Sequence, residues 1–120
     1  MDKDALIAKL HALLEECAEP RWDGYGAAPL QPSIVPIAEA FIQALPTDYP
    51  PPDIVPESDG VVAFEWQTTT GIISVSMDES GELPCAWIFD AGDSDHATFE
   101  FNGKSIPALL LARIQRITKP

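Results

Sequence analysis

Between Arg21 and Lys104 the chain contains no lysine and no arginine, while the same stretch carries fourteen carboxylates from Asp23 to Glu100. Carboxylates without cations nearby cannot neutralise one another, so they set up a negative field that repels nucleic acid and attracts basic surfaces. The formal net charge is −12, and the seven cations are divided between the two terminal regions. Phosphate neutralisation needs clustered cations, so direct nucleic-acid binding is disfavoured. Cysteine is almost missing: Cys17 and Cys85 stand alone, outside any C-x-x-C pair or histidine cluster. That usage predicts a reduced, cytoplasmic protein, although two cysteines do not by themselves exclude a single disulfide. No apolar run has the length of a bilayer span, and the acidic, amphipathic first twenty residues lack the form of a signal peptide. Neither export nor a membrane is therefore expected.

Catalytic signatures are absent as well. Ser74, Ser76, Ser80 and Ser105 fall at strand, turn and cap positions without a G-x-S-x-G elbow, and neither cysteine has a cationic neighbour to activate it. His11 and His96 have no nucleophile beside them in sequence, and Glu65 with Glu100, expected on adjacent strands, reads as solvated surface. Asp90, Asp93 and Asp95 superficially resemble a calcium loop, but Gly92 comes too early for that pattern. No enzyme, cofactor or metal site is predicted.

What is present is ample for one core. The 120 residues are 46 % hydrophobic, with 3 Trp and 5 Phe, enough for a single domain over 1–120. Leu6, Leu10, Leu13, Leu14 and Cys17 predict a helix from about residue 4 to 18, capped by Asp4 and ended by Pro20. A second helix begins at Ser33, with Ile34, Ile37, Phe41 and Leu45 on one face, and stops at Pro46. Residues 46–60 hold five prolines and are expected to form a polyproline-like connector lying across the surface. Period-two patterning then predicts paired strands through Trp66 and through Val75. A third strand spans Leu83 to Phe89, a loop Asp90 to Asp95, and a short fourth strand Ala97 to Phe101. Ser105 is expected to cap a last helix, with Ile106, Leu110, Ile114 and Ile117 inward and Arg113, Arg116 and Lys119 on its basic edge. The fold class expected is α+β: two N-terminal helices, a four-stranded antiparallel meander, and a C-terminal helix packed on one face of the sheet.

Trp22-Asp23-Gly24-Tyr25-Gly26-Ala27, then Phe64-Glu65-Trp66, then Phe101 with Ile106-Pro107 and a closing helix, form an arrangement that covers about nine tenths of the chain. It resembles small bacterial proteins of unknown function that share a WDGYGA segment, a strand ending in E-W and a terminal I-P-x-x-L-L helix. The resemblance implies no activity, cofactor or catalytic residue; relatives often carry arginines where this chain has Asp90, Asp93, Asp95 and His96. Physically, WDGYGA reads either as a plug, with Trp22 and Tyr25 packed inward around positive-φ glycines, or as an exposed recognition loop of Trp22, Asp23 and Tyr25.

The function class these features predict is a small acidic, non-enzymatic interaction protein that binds and neutralises a basic protein partner. An antitoxin, an immunity protein or an anti-defence inhibitor of bacterial or phage origin would act in this way. Partner-binding residues expected are Asp90, Asp93 and Asp95, with Trp22, Asp23 and Tyr25 as a second patch. The alternative is an adaptor or oligomerisation module, a homodimer included, whose acidity serves solubility only.

Overall fold

A computed structural model describes residues 1–90 and 92–118. Three α-helices, α1 (Lys3–Glu16), α2 (Val35–Ala44) and α3 (Ala108–Thr118), accompany five strands. The strands are β1 (Asp53–Pro56), β2 (Val62–Thr68), β3 (Gly71–Met77), β4 (Glu82–Phe89) and β5 (Ser94–Glu100). They form one antiparallel sheet in the order β1-β2-β3-β4-β5.

The α+β class and the C-terminal helix on one face hold, but the sheet has five strands, not four. The extra strand comes from the proline-rich connector. Proline is disfavoured within a sheet because it cannot donate to a ladder, yet an edge tolerates it, as does the start of β4, where Pro84 lies just beyond the last β3–β4 pair. Ile54 and Val55, flanked by Pro52 and Pro56, pair with Phe64 and Ala63 at that edge. Upstream, the connector covers the core: Trp66 Nε1 donates to the Pro50 carbonyl at 2.8 Å, and buried Tyr49 reaches α3 through the Leu111 carbonyl.

Other boundaries moved for local reasons. Asp2, not Asp4, caps α1, accepting from Ala5 N at 3.0 Å. The second N-terminal helix opens with a 3-10 turn, Pro32–Ile34, so Ser33 lies inside that turn and no side chain caps α2. Asn102 accepts from the N–H groups of Lys104 and Ser105, holding that stretch as a turn, and α3 starts only after Pro107. The fourth predicted strand starts three residues early, because Asp95 and His96 pair with Trp87 and Ala86. Lys119 lies outside the described residues.

The helices share one layer. Val62, Phe64, Trp66, Ile73, Val75, Met77, Leu83, Cys85, Trp87 and Phe89 point to one face and join Leu6, Leu10, Ile34, Phe41, Leu110, Ile114 and Ile117 in a continuous core. Phe41 of α2 stacks against Phe64 and Phe101, with ring centroids at 5.2 and 5.9 Å. No buried side-chain nitrogen or oxygen among the described residues lacks a hydrogen-bond partner. No described helix is long and apolar enough to cross a membrane.

Both cysteines are free and buried. Burial pushes the Cys85 thiol up to about 12, and burial with the nearby Glu16 charge raises Cys17. A thiol-reactive chromophore at pH 8 is therefore expected to label neither cysteine in the native protein and both in guanidinium. Prompt labelling of Cys85 in native buffer would contradict its burial in β4.

Candidate functional site

WDGYGA divides between the two readings. Trp22 is half-buried and its Nε1 donates to the Ala28 carbonyl at 2.7 Å, so it is the plug. Tyr25 is 81 % exposed. Asp23 Oδ1 accepts from Tyr25 N at 2.8 Å and Ala27 N at 3.3 Å, so this carboxylate organises the loop that presents the tyrosine. Positive φ falls on Arg21 and Gly24, and not on Gly26 as the sequence pattern implied. The loop is anchored beside the β1–β2 turn, with Ala28 N donating to Ser58 O and Gln31 N to Gly60 O.

The 90–95 region sits at the opposite end of the sheet. Asp90 N donates to Thr70 O in the β2–β3 turn, and Phe89 pairs with Gly71. Strands of seven residues separate the two ends, roughly 20 Å at the usual rise, so the two expected patches do not form one surface. Nor is the acidic loop without a cation: Arg116 Nη1 lies 3.4 Å from Asp93 Oδ2, while its guanidinium stacks 3.5 Å over the Phe89 ring. Arg113 lies over Trp87 in the same way at 5.2 Å. The basic edge of α3 thus complements the protein's own strand β4 and its following loop. Asp95 Oδ1 accepts from His96 N at 2.8 Å and lies on the helix side of β5.

The feature that sequence reasoning missed is the sheet face turned away from the helices. Its rows follow from the register: Asp53, Glu65, Ser74, Ala86 and His96 lie side by side, as do Ile72, Ile88 and Ser94. Every strand lies within the cation-free stretch, so this face has no lysine or arginine, and all described cations belong to the helical layer and its loops. Two like-charged pairs stand directly opposite each other on it, Asp53 with Glu65 and Glu82 with Glu100. Such pairs destabilise a sheet by up to about 1 kcal/mol each. Glu65 and Glu100, expected on adjacent strands, are on β2 and β5 with two strands between them.

Two shallow clefts run across this face and share Ser76 and Pro84. One, of about 270 Å³, is lined by Glu57, Asp59, Asp78 and Glu82. Ser76 Oγ donates to Glu57 there at 2.6 Å. The Ser80 hydroxyl, then its N–H, holds the Asp78 carboxyl below the usual range. The other cleft, of about 260 Å³, lies over the small residues Ser74, Ala86, Ala97 and Thr98, toward β5. Ile88, 57 % exposed, adds an apolar element at the far end.

Among the described residues no group of three or more His, Cys, Asp or Glu side chains is arranged to hold a metal ion. His11 sits on the helical side, 2.7 Å from Glu39, joining α1 to α2. Comparison with known proteins found no matching family model, no matching curated protein and no matching solved structure.

Proposed function

We propose that this chain is a non-enzymatic interaction protein that binds a basic protein partner on the uncovered face of its sheet and neutralises it. An antitoxin, an immunity protein or an anti-defence inhibitor would do the same. The observation that carries the reading is the pair of like-charged contacts, Asp53 with Glu65 and Glu82 with Glu100, on strands that themselves carry no lysine or arginine, Lys9 of α1 lining a cleft with Asp53 at the β1 edge only. Repulsion of this kind weakens the free protein and is relieved when Lys or Arg side chains arrive. It therefore favours a partner over mere solubility, which scattered charge would serve as well. Tyr25 and Asp23 lie on a loop tied to the β1–β2 turn at the acidic cleft's end of the sheet, while Asp93 is already engaged by Arg116.

The test is a double charge reversal, Glu65→Lys with Glu100→Lys, which converts both repulsive pairs into attractive ones. Thermal unfolding is expected to shift upward by about 1–4 °C per pair, from roughly 0.2–1 kcal/mol each. Capture of basic proteins from a host lysate at low salt should fall sharply. A control with the same change of charge at the end of α1 and just beyond it, Glu15→Lys with Glu19→Lys, should capture as the wild type does. Equal capture by both variants would show that only overall charge matters and would favour the adaptor reading.

A further inference from the structure

The two edges of the sheet are guarded very differently. β1 is four residues long, ends in Pro56, follows Pro51 and Pro52, and has α1 beside it across a cleft lined by Lys9, Leu13, Glu16 and Asp53. Short length, proline and a covering helix are the usual protections against an added strand. β5 has none of these. It runs seven residues without proline, lysine or bulge in unbroken register with β4, and among the described residues no strand pairs with its far side.

Parity identifies its free groups. Phe101 N donates to Gly81 O and Phe89 N to Asp93 O, so odd-numbered residues of β5 turn their peptide groups toward β4. Ser94, His96, Thr98 and Glu100 therefore present theirs to the outside. One of these outward donors, His96 N–H, is occupied by the neighbouring Asp95 carboxylate at 2.8 Å. An arriving strand must displace that carboxylate, which then needs a cation.

We propose that β5 is the attachment edge for an extended, cationic segment of the basic partner, which adds to the sheet as a sixth strand. The inference rests on the proposed function and specifies how the partner binds. Register dictates the segment's pattern. Residues beside Asp95 and Glu100 carry Lys or Arg, and those beside half-buried Ala97 and Phe99 are apolar. In antiparallel order this reads cation, apolar, any, apolar, any, cation. A second copy of this chain fits poorly, because its own β5 brings Asp95 and Glu100 and another net charge of −12.

The probe is the synthetic peptide Thr-Lys-Val-Thr-Val-Thr-Lys-Thr, compared with its Lys→Glu counterpart and with an isomer whose two lysines are adjacent. Amide exchange followed residue by residue in the whole protein is the readout. With the lysine peptide at twice its dissociation constant, exchange at Ser94, Thr98 and Glu100 should slow by roughly threefold, and much less with the other two peptides. Thr98→Pro removes an outward N–H without touching the β4 ladder and should abolish the protection. Asp95→Lys with Glu100→Lys, both at exposed positions, should reverse the preference toward the glutamate peptide and serves if the proline variant unfolds. Unprotected edge amides, equal protection by all three peptides, or protection that grows with protein concentration alone would each overturn the proposal. Because the charge-reversal test reads capture and not the edge, it can succeed while this one fails.

Discussion

Replacing Trp66 by alanine is expected to lower the melting temperature by about 12–20 °C. Trp66 is buried on the helix side of β2, opposite Ile73, and its loss removes one of the largest apolar surfaces of the core. Large-to-small replacements of this kind cost about 3–5 kcal/mol, against a total stability of about 5–15 kcal/mol for an ordinary domain. At the usual unfolding entropy per residue, that loss corresponds to the stated fall. Trp66→Phe separates the two contributions. It keeps most of the buried area but orphans the Pro50 carbonyl, which accepts from Nε1 at 2.8 Å, and should cost about 1–3 kcal/mol. A wild-type melting temperature for Trp66→Ala would place this side chain on the wrong face.

That face assignment was legible in the sequence, because alternation through Val62, Phe64 and Trp66 is a local signal that neighbouring strands only reinforce. The three inner strands and the inward face of α3 were legible on the same grounds. What escaped depends on contacts distant in sequence. The strand Asp53–Pro56 has the composition of a connector, and only the free edge of β2 makes it a strand. Asp95 and His96 have loop composition, yet pairing with Trp87 and Ala86 draws them into β5.

The candidate surface changed for the same reason. Counting carboxylates along the chain led to Asp90, Asp93 and Asp95, where they crowd in sequence. In space Asp93 meets Arg116, which lies 23 residues away, and Asp95 satisfies a neighbouring peptide N–H. The pairs Asp53 with Glu65 and Glu82 with Glu100 are 12 and 18 residues apart in sequence, and their opposition is a product of strand register. The absence of cations was visible from the start; which face it would leave bare required the topology.

Gly71→Ala should destabilise the protein by on the order of 3 kcal/mol, a large effect for one methyl group. A Cβ added at Gly71 falls 2.2 Å from the Ile88 carbonyl oxygen and 2.9 Å from Phe89 Cα. Both belong to the backbone of β4, so no side-chain rotation relieves the overlap, and β3 must separate from β4 where Gly71 pairs with Phe89. The same displacement strains the bond from Asp90 N to Thr70 O, at 2.7 Å, and with it the loop that carries Asp93 to Arg116. Melting is expected to begin about 12 °C lower. Gly26→Ala supplies the contrast: its added Cβ meets no atom within 4 Å and its φ is not positive, so stability should stay within about 0.5 kcal/mol of wild type. The damage at Gly71 lies at the end of the sheet opposite the Glu57, Asp59, Asp78 and Glu82 cleft. Below its melting range, the Gly71→Ala protein should therefore still capture basic proteins at low salt. Loss of capture by a fully folded Gly71→Ala protein would move the partner surface to the end of the sheet that carries Thr69, Thr70, Asp90 and Asp93.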